Sequence, residues 1–415
     1  YGTLSMELTS SILVGYENTS FIVSQGQISA ALITESIKAE NIRVLIQTND
    51  YSDIYHNKVE LTATADFAVM SDEGNQIYKA GEVVTIKADD KLLAGERITV
   101  KPLTDNAKIQ ILSIERKSGN PKYRGIMEIS RGDGGLLLVN ELPLEEYLYA
   151  VIPSEMPTSY GAEALKTQAV CARSYAYKHL MANSLSQYGA HVNDSSSFQV
   201  YNNLAENEES ILAVKDTYGK VIMHDGEVIN AYYFSTSCGH TTNSASVWGA
   251  GIDFPYLEGK LLVDESSVVS ISEIYNLYED LSDEESFRSF INDESLVTYD
   301  SGFNWYRWKT TISADNIKKV VDANLSARYK ANPDLILTMT GQENDGAVYE
   351  SLPVETIGEI LDVKVAARDK SGIVTELILV GSKRTIKVMK EYNIRALLAP
   401  SYDILTRLDG SEVAN

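Results

Sequence analysis

Between residues 40 and 142 the hydrophobic positions fall in short runs, alternating or continuous, separated by polar turn-like pieces. The runs are IRVLIQT (42–48), VELTATADFAVM (59–70), EVVTIKA (82–88), ERITVKP (96–102), KIQILSI (108–114), YRGIMEIS (123–130) and GLLLVNEL (135–142). Runs of this length, punctuated by pieces such as SDEGNQ and RGDGG, predict strands and turns, so residues 1–140 read as a β-rich part. Arg131-Gly132-Asp133 is an RGD tripeptide, but its place between two apolar runs predicts a tight hairpin turn.

From Tyr147 to Tyr177 the period changes. YLYAVIPSEMP runs into EALKTQAVCARSYAY, and Ala162, Leu165, Ala169, Ala172, Ala176 and Leu180 recur at spacings of three and four. That is one face of a helix, small enough to pack closely on a neighbour, with Lys166, Gln168 and Arg173 on its other faces. Pro153 and Pro157 bracket Glu155, and each biases the residue before it away from helical geometry. Glu155 is therefore expected on a kinked connection between two helical pieces. Apolar Val151, Ile152 and Met156 beside it predict a raised carboxyl pKa, which suits a general acid. The bland alternative is an acid near a helix start, where the macrodipole favours negative charge.

Beyond the helix, SQYGAHVNDSSSFQVYNNLAENEES (186–210) is a polar connection to a short run, ILAVKDTYG. VIMH and VINAYYF flank Asp225-Gly226 and predict a hairpin. Its second strand delivers Ser235-Thr236-Ser237-Cys238-Gly239-His240, where Gly239 permits close backbone approach to a ligand. Trp248 follows, as a sugar-stacking or, more commonly, a core aromatic. From about residue 260 the pattern predicts helices over 283–293 and 313–328, the second capped by Ser313. DLILTM, EILDVKVAARD, GIVTELILVG and RTIKVMK read as strands and YNIRALLA (392–399) as a short helix.

Composition narrows the function classes. With 415 residues there is room for two or three domains, or for one large one with insertions. A net charge of −22 argues against nucleic acid and against an anionic membrane surface. The two cysteines, Cys171 and Cys238, exclude a disulfide framework and a four-cysteine zinc site. Cys171 reads as a small buried residue. No apolar run approaches the roughly 18 residues of a membrane span. A start at Tyr1 without methionine suggests that an N-terminal signal or anchor has been removed, hence export to an extracytoplasmic location.

The chemistry on offer is limited. Cys238, His240 and His191 could ligate zinc only if the fold gathered them, since no pair has a zinc-motif spacing. Ser235, Ser237 and His240 lack a nucleophile-elbow sequence, and no Gly-rich phosphate loop occurs. There remain one acid, a polar aromatic loop with Gln199 and Tyr201, and a small-residue loop. These suit a groove for a neutral, hydroxylated polymer. Glycoside cleavage ordinarily uses two carboxylates, but one suffices when the substrate's own hydroxyl is the nucleophile.

Three blocks in order, YLYAVIPSEMP…EALKTQAVCARSYAY, DSSSFQVYNN and YYFSTSCGHTTNSASVWG, resemble the stage II sporulation protein D and amidase enhancer family. Weaker similarity extends to the opening YGTLSMELTSS, to IRVLIQT…VELTA and to the closing NIRALLAPSYDI. The resemblance implies a lytic transglycosylase that cuts the β-1,4 bond between N-acetylmuramic acid and N-acetylglucosamine in peptide-free peptidoglycan strands. The product would be a 1,6-anhydro sugar. It makes Glu155 the catalytic acid/base. It assigns substrate binding to Gln199, Tyr201, Ser235, Thr236 and Gly239, which would line the glycan groove, and to Lys166, Gln168 and Arg173 on the helix, the last three with a structural alternative. No cofactor is implied. A zinc site of some family members is not expected, because AHVNDSSSFQVY keeps one histidine and no cysteine. Tyr160-Gly161 stands where the family often has tryptophan and proline.

The expectation is an α+β protein: a β-rich N-terminal part (1–140), a helix-containing catalytic core (141–260) and a C-terminal α+β part (261–415). Its partners would be glycan strands and a wall amidase or other wall-remodelling protein. The competing function is a non-enzymatic wall-binding protein that enhances a peptidoglycan amidase.

Overall fold

The computed structural model describes residues 12–34, 38–95, 97–249, 254–263, 271–343 and 346–414. The opening block YGTLSMELTSS lies outside them. The protein is mixed α+β and divides into two compact units, one ending at Tyr233 and the other beginning at Phe234. No helix among the described residues is long and apolar enough to cross a membrane.

The first unit is built on two sheets. Strands β1 (Thr19–Ser24) and β2 (Gln27–Ile33) form a separate hairpin. The next ten are β3 (Asn41–Leu45), β4 (Lys58–Ala63), β5 (Phe67–Ser71), β6 (Gly74–Tyr78), β7 (Val84–Lys87), β8 (Arg97–Pro102), β9 (Ile109–Ile111), β10 (Lys122–Tyr123), β11 (Ile126–Gly132) and β12 (Gly135–Pro143). With β13 (Val192–Asn193) they make a seven-stranded sheet ordered β13-β3-β12-β11-β8-β5-β6 and a four-stranded sheet ordered β10-β9-β4-β7. All pairs in these two sheets are antiparallel except β13 on β3. Each predicted run supplies a strand, and VELTATADFAVM supplies two. The RGD turn is the hairpin between β11 and β12, closing at the Gly132–Gly135 pair.

Helix α1 (Leu144–Glu155) leaves β12 directly, with Glu145 and Glu146 in its first turn, where the helix dipole favours acids. Eight of its twelve residues, Leu144 and Tyr147–Pro153, are buried, as befits a helix that is apolar nearly all round. It shares one core with both sheets and with α2 (Ala162–Ala182). The expected kink is replaced by a continuous helix through Pro153 that ends at Glu155. Proline removes the N–H that would bond the Tyr149 carbonyl. The Ser210 hydroxyl donates to that carbonyl instead, at 3.1 Å. A 3₁₀ turn at Thr158–Tyr160 and Gly161, at φ 92°, then start α2.

On α2 the predicted face is buried except for exposed Ala162. Gln168 and Arg173, expected on outer faces, are buried too; Arg173 has a partner on α1. Within the polar connection, α3 (Glu208–Asp216) is a helix that periodicity missed, opened by a capping box between Asn207 and Ser210. Strands β14 (Met223–His224) and β15 (Glu227–Val228) form the predicted hairpin, with positive φ at both Asp225 and Gly226. Each strand has only two residues; one further bond runs from the Ile229 N–H to the Ile222 carbonyl before the Tyr232 N–H turns back to the Asn230 carbonyl.

The second unit holds a five-stranded antiparallel sheet. It also contains α4 (Ser244–Trp248), α5 (Ile271–Tyr278), α6 (Glu284–Asn292), β16 (Lys309–Thr310) and α7 (Ala314–Ala331). These are followed by β17 (Ile336–Glu343), β18 (Gly346–Glu350), β19 (Ile360–Arg368), β20 (Val374–Gly381), β21 (Thr385–Met389), α8 (Glu391–Leu397), β22 (Ile404–Thr406) and β23 (Glu412–Ala414). The sheet order is β18-β17-β21-β20-β19, and α7 and α8 cover it around Val321, Leu325, Ile336, Leu379 and Leu397. Ser313 caps α7 through the Asn316 N–H as expected. Asp283 caps α6.

Candidate active site around Glu155

Glu155 is the last residue of α1, half-buried, so its carboxyl is held by the helix end and not by a mobile loop. The segment after β13 closes over it. Asp194 anchors this segment: its carboxylate accepts from the Gln47 N–H at 3.0 Å and from buried Arg116 at 2.8 Å. The Tyr201 N–H returns to the Asp194 carbonyl at 3.1 Å, closing a loop of eight residues, 194–201. The Asn202 N–H continues it onto the Ala150 carbonyl of α1 at 3.3 Å. Inside the loop, the Val200 N–H donates to Glu155 Oε1 at 2.6 Å.

Gln199 organises the remaining polar contacts. Its Nε2 donates to the Ala172 carbonyl at 3.3 Å and to the Tyr233 hydroxyl at 3.1 Å, and its Oε1 accepts from the Tyr147 hydroxyl at 3.3 Å. Tyr233 accepts from Gln199, so its own proton is left to donate, and it acts on the Glu155 carboxyl as a hydrogen-bonding group. Burial raises the Glu155 pKa above the usual carboxylate value, and the Val200 N–H and the Tyr233 hydroxyl only partly oppose it. No cation and no second carboxylate figures among these influences. Burial also pushes the Tyr147, Tyr175 and Tyr233 phenols up, with the Glu155 charge adding to each. The surroundings of the acid are thus neutral phenols and amides. A carboxyl held in its neutral form more strongly than usual can give up a proton as a general acid and take one back.

Other sequence candidates have different settings. Tyr201 is buried, its hydroxyl donating to Asn140 Oδ1 at 2.9 Å and its ring packed near Tyr123 and Tyr147. Arg173 is also buried: it grips Glu145 of α1 through Nε at 2.7 Å and Nη2 at 2.8 Å, and donates to the Lys220 and Val214 carbonyls. Lys166 is a surface residue between Glu163 and Asp216. Gln168 is buried, with no hydrogen-bond partner for Nε2. Cys171 is half-buried, its thiol pKa raised by burial.

Ser235, Thr236 and Gly239 belong to the second unit. Ser235 is exposed and Thr236 half-buried. Next to them, Ser237 donates through N–H and hydroxyl to Asp300 at 2.5 and 2.6 Å. Gly239 has φ 99°, and a Cβ there would meet Thr298 Cγ2 at 2.9 Å and the Tyr306 hydroxyl at 3.0 Å. The close approach that this glycine allows is made by the protein's own side chains. Trp248, for which core packing was the commoner expectation, is exposed at the end of the one-turn helix α4.

His191 spends both ring nitrogens on the backbone, Nδ1 accepting from the Arg43 N–H at 3.1 Å and Nε2 donating to the Val14 carbonyl at 2.8 Å. Cys238 and His240 lie in the second unit, where His240 Nδ1 bonds the Thr241 carbonyl at 2.5 Å. Among the described residues no group of three or more His, Cys, Asp or Glu is arranged to hold a metal.

The first unit is therefore a mixed α+β unit presenting a lone, partly desolvated acid at a helix end, clasped by a Gln-Val-Tyr loop. Residues 132–224 match the family model described as Stage II sporulation protein, SpoIID. The chain is 39% identical over 134 residues to Stage II sporulation protein D of Bacillus amyloliquefaciens, covering 29% of this chain and 38% of that protein. The corresponding protein of Bacillus subtilis (strain 168) is 38% identical over the same length and shares. The Amidase enhancer of Bacillus subtilis (strain 168) is 34% identical over 176 residues, 41% of this chain and 24% of that protein. The matches span well under half the length of these relatives. Glu155, Lys166, Gln168, Arg173, Gln199 and Tyr201 fall within the family domain. Tyr233, to which sequence patterning assigns no role, lies just past it, in the YYF of a block already notable for its small-residue loop.

Proposed function

We propose that this chain is a lytic transglycosylase of peptidoglycan glycan strands that works in bacterial cell-wall remodelling, sporulation included. The observation that carries the reading is Glu155: one carboxyl, raised in pKa by burial and surrounded by neutral hydrogen-bonding groups. Protonated Glu155 gives its proton to the glycosidic oxygen as the bond from C1 of N-acetylmuramic acid to that oxygen breaks. The resulting carboxylate takes the proton of the C6 hydroxyl of the same sugar, whose oxygen bonds to C1. The strand ends in a 1,6-anhydro sugar, the other fragment carries a free hydroxyl, and Glu155 is protonated again. Water is not consumed, so no second carboxylate is needed to activate it. The Val200 N–H and the Tyr233 hydroxyl hold the acid in place, Gln199 positions Tyr233, and Ser235 and Thr236 are assigned as glycan contacts of their loop.

Mass spectrometry of purified strands, with and without peptides, tests the reading. Anhydro ends from the native chain and none from Glu155→Gln are expected. Reducing ends would make it a hydrolase, and uncut strands would overturn the enzymatic reading. A non-enzymatic role beside a wall amidase is favoured by the similarity to the Amidase enhancer and by Tyr160, exposed in the 3₁₀ turn that follows Glu155. That role requires faster amidase turnover in the presence of this chain and no anhydro product from the chain alone.

A further inference from the structure

The β1–β2 hairpin takes no part in the two larger sheets and is a two-stranded sheet of its own. Its base is anchored. Leu13 is buried in the core of the first unit, the Tyr16 hydroxyl donates to the Asn41 carbonyl at 2.6 Å, and the Thr34 N–H donates to the Asn18 carbonyl at 2.8 Å. Beyond that base the apolar side chains stand in solvent: Phe21 is 48% exposed, Ile22 59% and Val23 61%, with Ile28 and Leu32 exposed on the other strand. A lone two-stranded hairpin is marginal in water, and three or more strands with an apolar face are needed for independent stability.

The edge of this hairpin is open to pairing. Residues 18–34 carry no charge and no proline, between Glu17 and Glu35, in a chain of which 23% is charged. Charges and prolines are the usual guards of a free strand edge, so this one is unguarded. The bulge falls on β2, where Ser29 has no partner between Ala30 and Ile28, while Ile22 and Val23 of β1 pair in succession. β1 is therefore the regular strand, and its outer edge has no backbone partner among the described residues.

The order of residues along β1 selects the occupant. Ser20-Phe21-Ile22-Val23-Ser24 reads hydroxyl, apolar, apolar, apolar, hydroxyl in both directions. An antiparallel copy centred on Ile22 sets Ile22 against Ile22, each Phe21 against Val23 of the other copy, and each Ser20 against the other Ser24. Aromatic–β-branched pairs then share one face and hydroxyl pairs flank the isoleucines on the other, all of them favourable cross-strand neighbours. A charged segment would find no counter-charge on this strip. We propose that β1 pairs with β1 of a second copy of this chain across a two-fold axis at Ile22, joining two hairpins into one four-stranded sheet. The contact is small, of the weak and transient class, and two chains of net charge −22 repel outside it. Dimer should therefore build up with concentration and with salt. The proposal is independent of the role of Glu155.

Sedimentation velocity of the full chain tests it, across a range of protein concentrations at low salt and at about 1 M salt, where the Debye length is about 3 Å. A dimer fraction that rises with both is expected. Ile22→Lys and Ile22→Glu each set like charges face to face at the axis and should each weaken dimerisation by about tenfold or more. Mixed in equal amounts, the two variants should dimerise again, because opposite charges then meet; a hairpin that had lost its fold could not do this. Ile22→Val should dimerise as the native chain does. A native chain monomeric under all these conditions, a dimer indifferent to Ile22→Lys, or charge variants that stay monomeric when mixed would overturn the proposal. A monomeric native chain that floats with phosphatidylcholine vesicles would give the hairpin to a lipid surface and overturn it equally.

Discussion

The Val200 N–H donates to Glu155 Oε1 at 2.6 Å, joining the end of a buried helix to a loop 45 residues further along the chain. This bond fixes the direction of the acid, and burial sets its proton affinity. A hydrogen bond from a backbone amide favours the charged form, and desolvation favours the neutral one. Desolvation is the larger effect here, so the folded protein holds the Glu155 proton more tightly than an unfolded chain does.

Glu155→Gln separates chemistry from stability. The amide oxygen can still accept from Val200, but the side chain has no proton to exchange. Strand cleavage should fall by about 10²–10⁴-fold or more, the contribution typical of a positioned acid or base. Stability should move the other way. The folded pKa is raised, so Glu155 ionisation costs nothing below the unfolded value of 4.5 and opposes folding increasingly as pH rises through the folded pKa. Denaturant melts should therefore show the Glu155→Gln variant and the native chain equally stable near pH 4 and the variant ahead at pH 8. An advantage at acid pH that vanished at alkaline pH would contradict this electrostatic account.

Tyr233→Phe tests the neighbour that the family domain does not include. The hydroxyl opposes the upward shift of Glu155, so its loss should raise the carboxyl pKa further. The alkaline limb of the cleavage profile should move to higher pH, while the Gln199 amide loses one acceptor and orders the loop less well. A fall in rate with an unmoved limb would make Tyr233 a packing residue only.

The sequence displayed some of this and concealed the rest for identifiable reasons. The strands of the two larger sheets were legible because their buried faces impose short apolar runs. The β1–β2 hairpin was not, since nearly all of its residues face solvent and no alternation results. Glu155 stood out through its bracketing prolines, yet the helix runs on through Pro153 because Ser210, 61 residues away, takes over the orphaned carbonyl of Tyr149. Tyr233 is silent in the sequence because its role depends on Gln199, 34 positions earlier, and through it on Tyr147, a further 52 positions back. Local patterning carries no record of such convergence. The burial of Arg173 is hidden for the same reason: a charge in a helix reads as solvated unless its partner is seen.

That partner makes Arg173 a stability residue. It joins α1 to α2 through two hydrogen bonds to Glu145 while donating to carbonyls at Val214 and Lys220. Removing one member of a buried pair leaves the other charge and several carbonyls unsatisfied, at a cost of about 3–5 kcal/mol. Arg173→Ala should lower the denaturation midpoint accordingly. The double variant with Glu145→Ala should lose less than the sum of the two single variants, because the pair fails as a unit. Full additivity would mean that the two groups do not act together.

His191 gives the protein an acid limit of its own. Buried between the Arg43 N–H and the Val14 carbonyl, it keeps one proton and accepts at its other nitrogen, so a second proton would break the bond from Arg43. Burial holds its pKa down to about 4, against an ordinary 6.5. The unfolded chain therefore binds a proton that the folded chain refuses across this window. The stabilising effect of the neutral ring is complete above pH 6.5 and is lost as pH falls toward 4. The shift corresponds to about 3 kcal/mol, at roughly 1.4 kcal/mol per pH unit. His191→Gln places a donor and an acceptor on one uncharged side chain, so it should lower stability at pH 7 modestly while flattening the decline between pH 6.5 and 4. Urea midpoints measured at half-unit steps across that range would show it. An equally steep decline in the glutamine variant would assign the acid sensitivity to the carboxylates and remove His191 from the account.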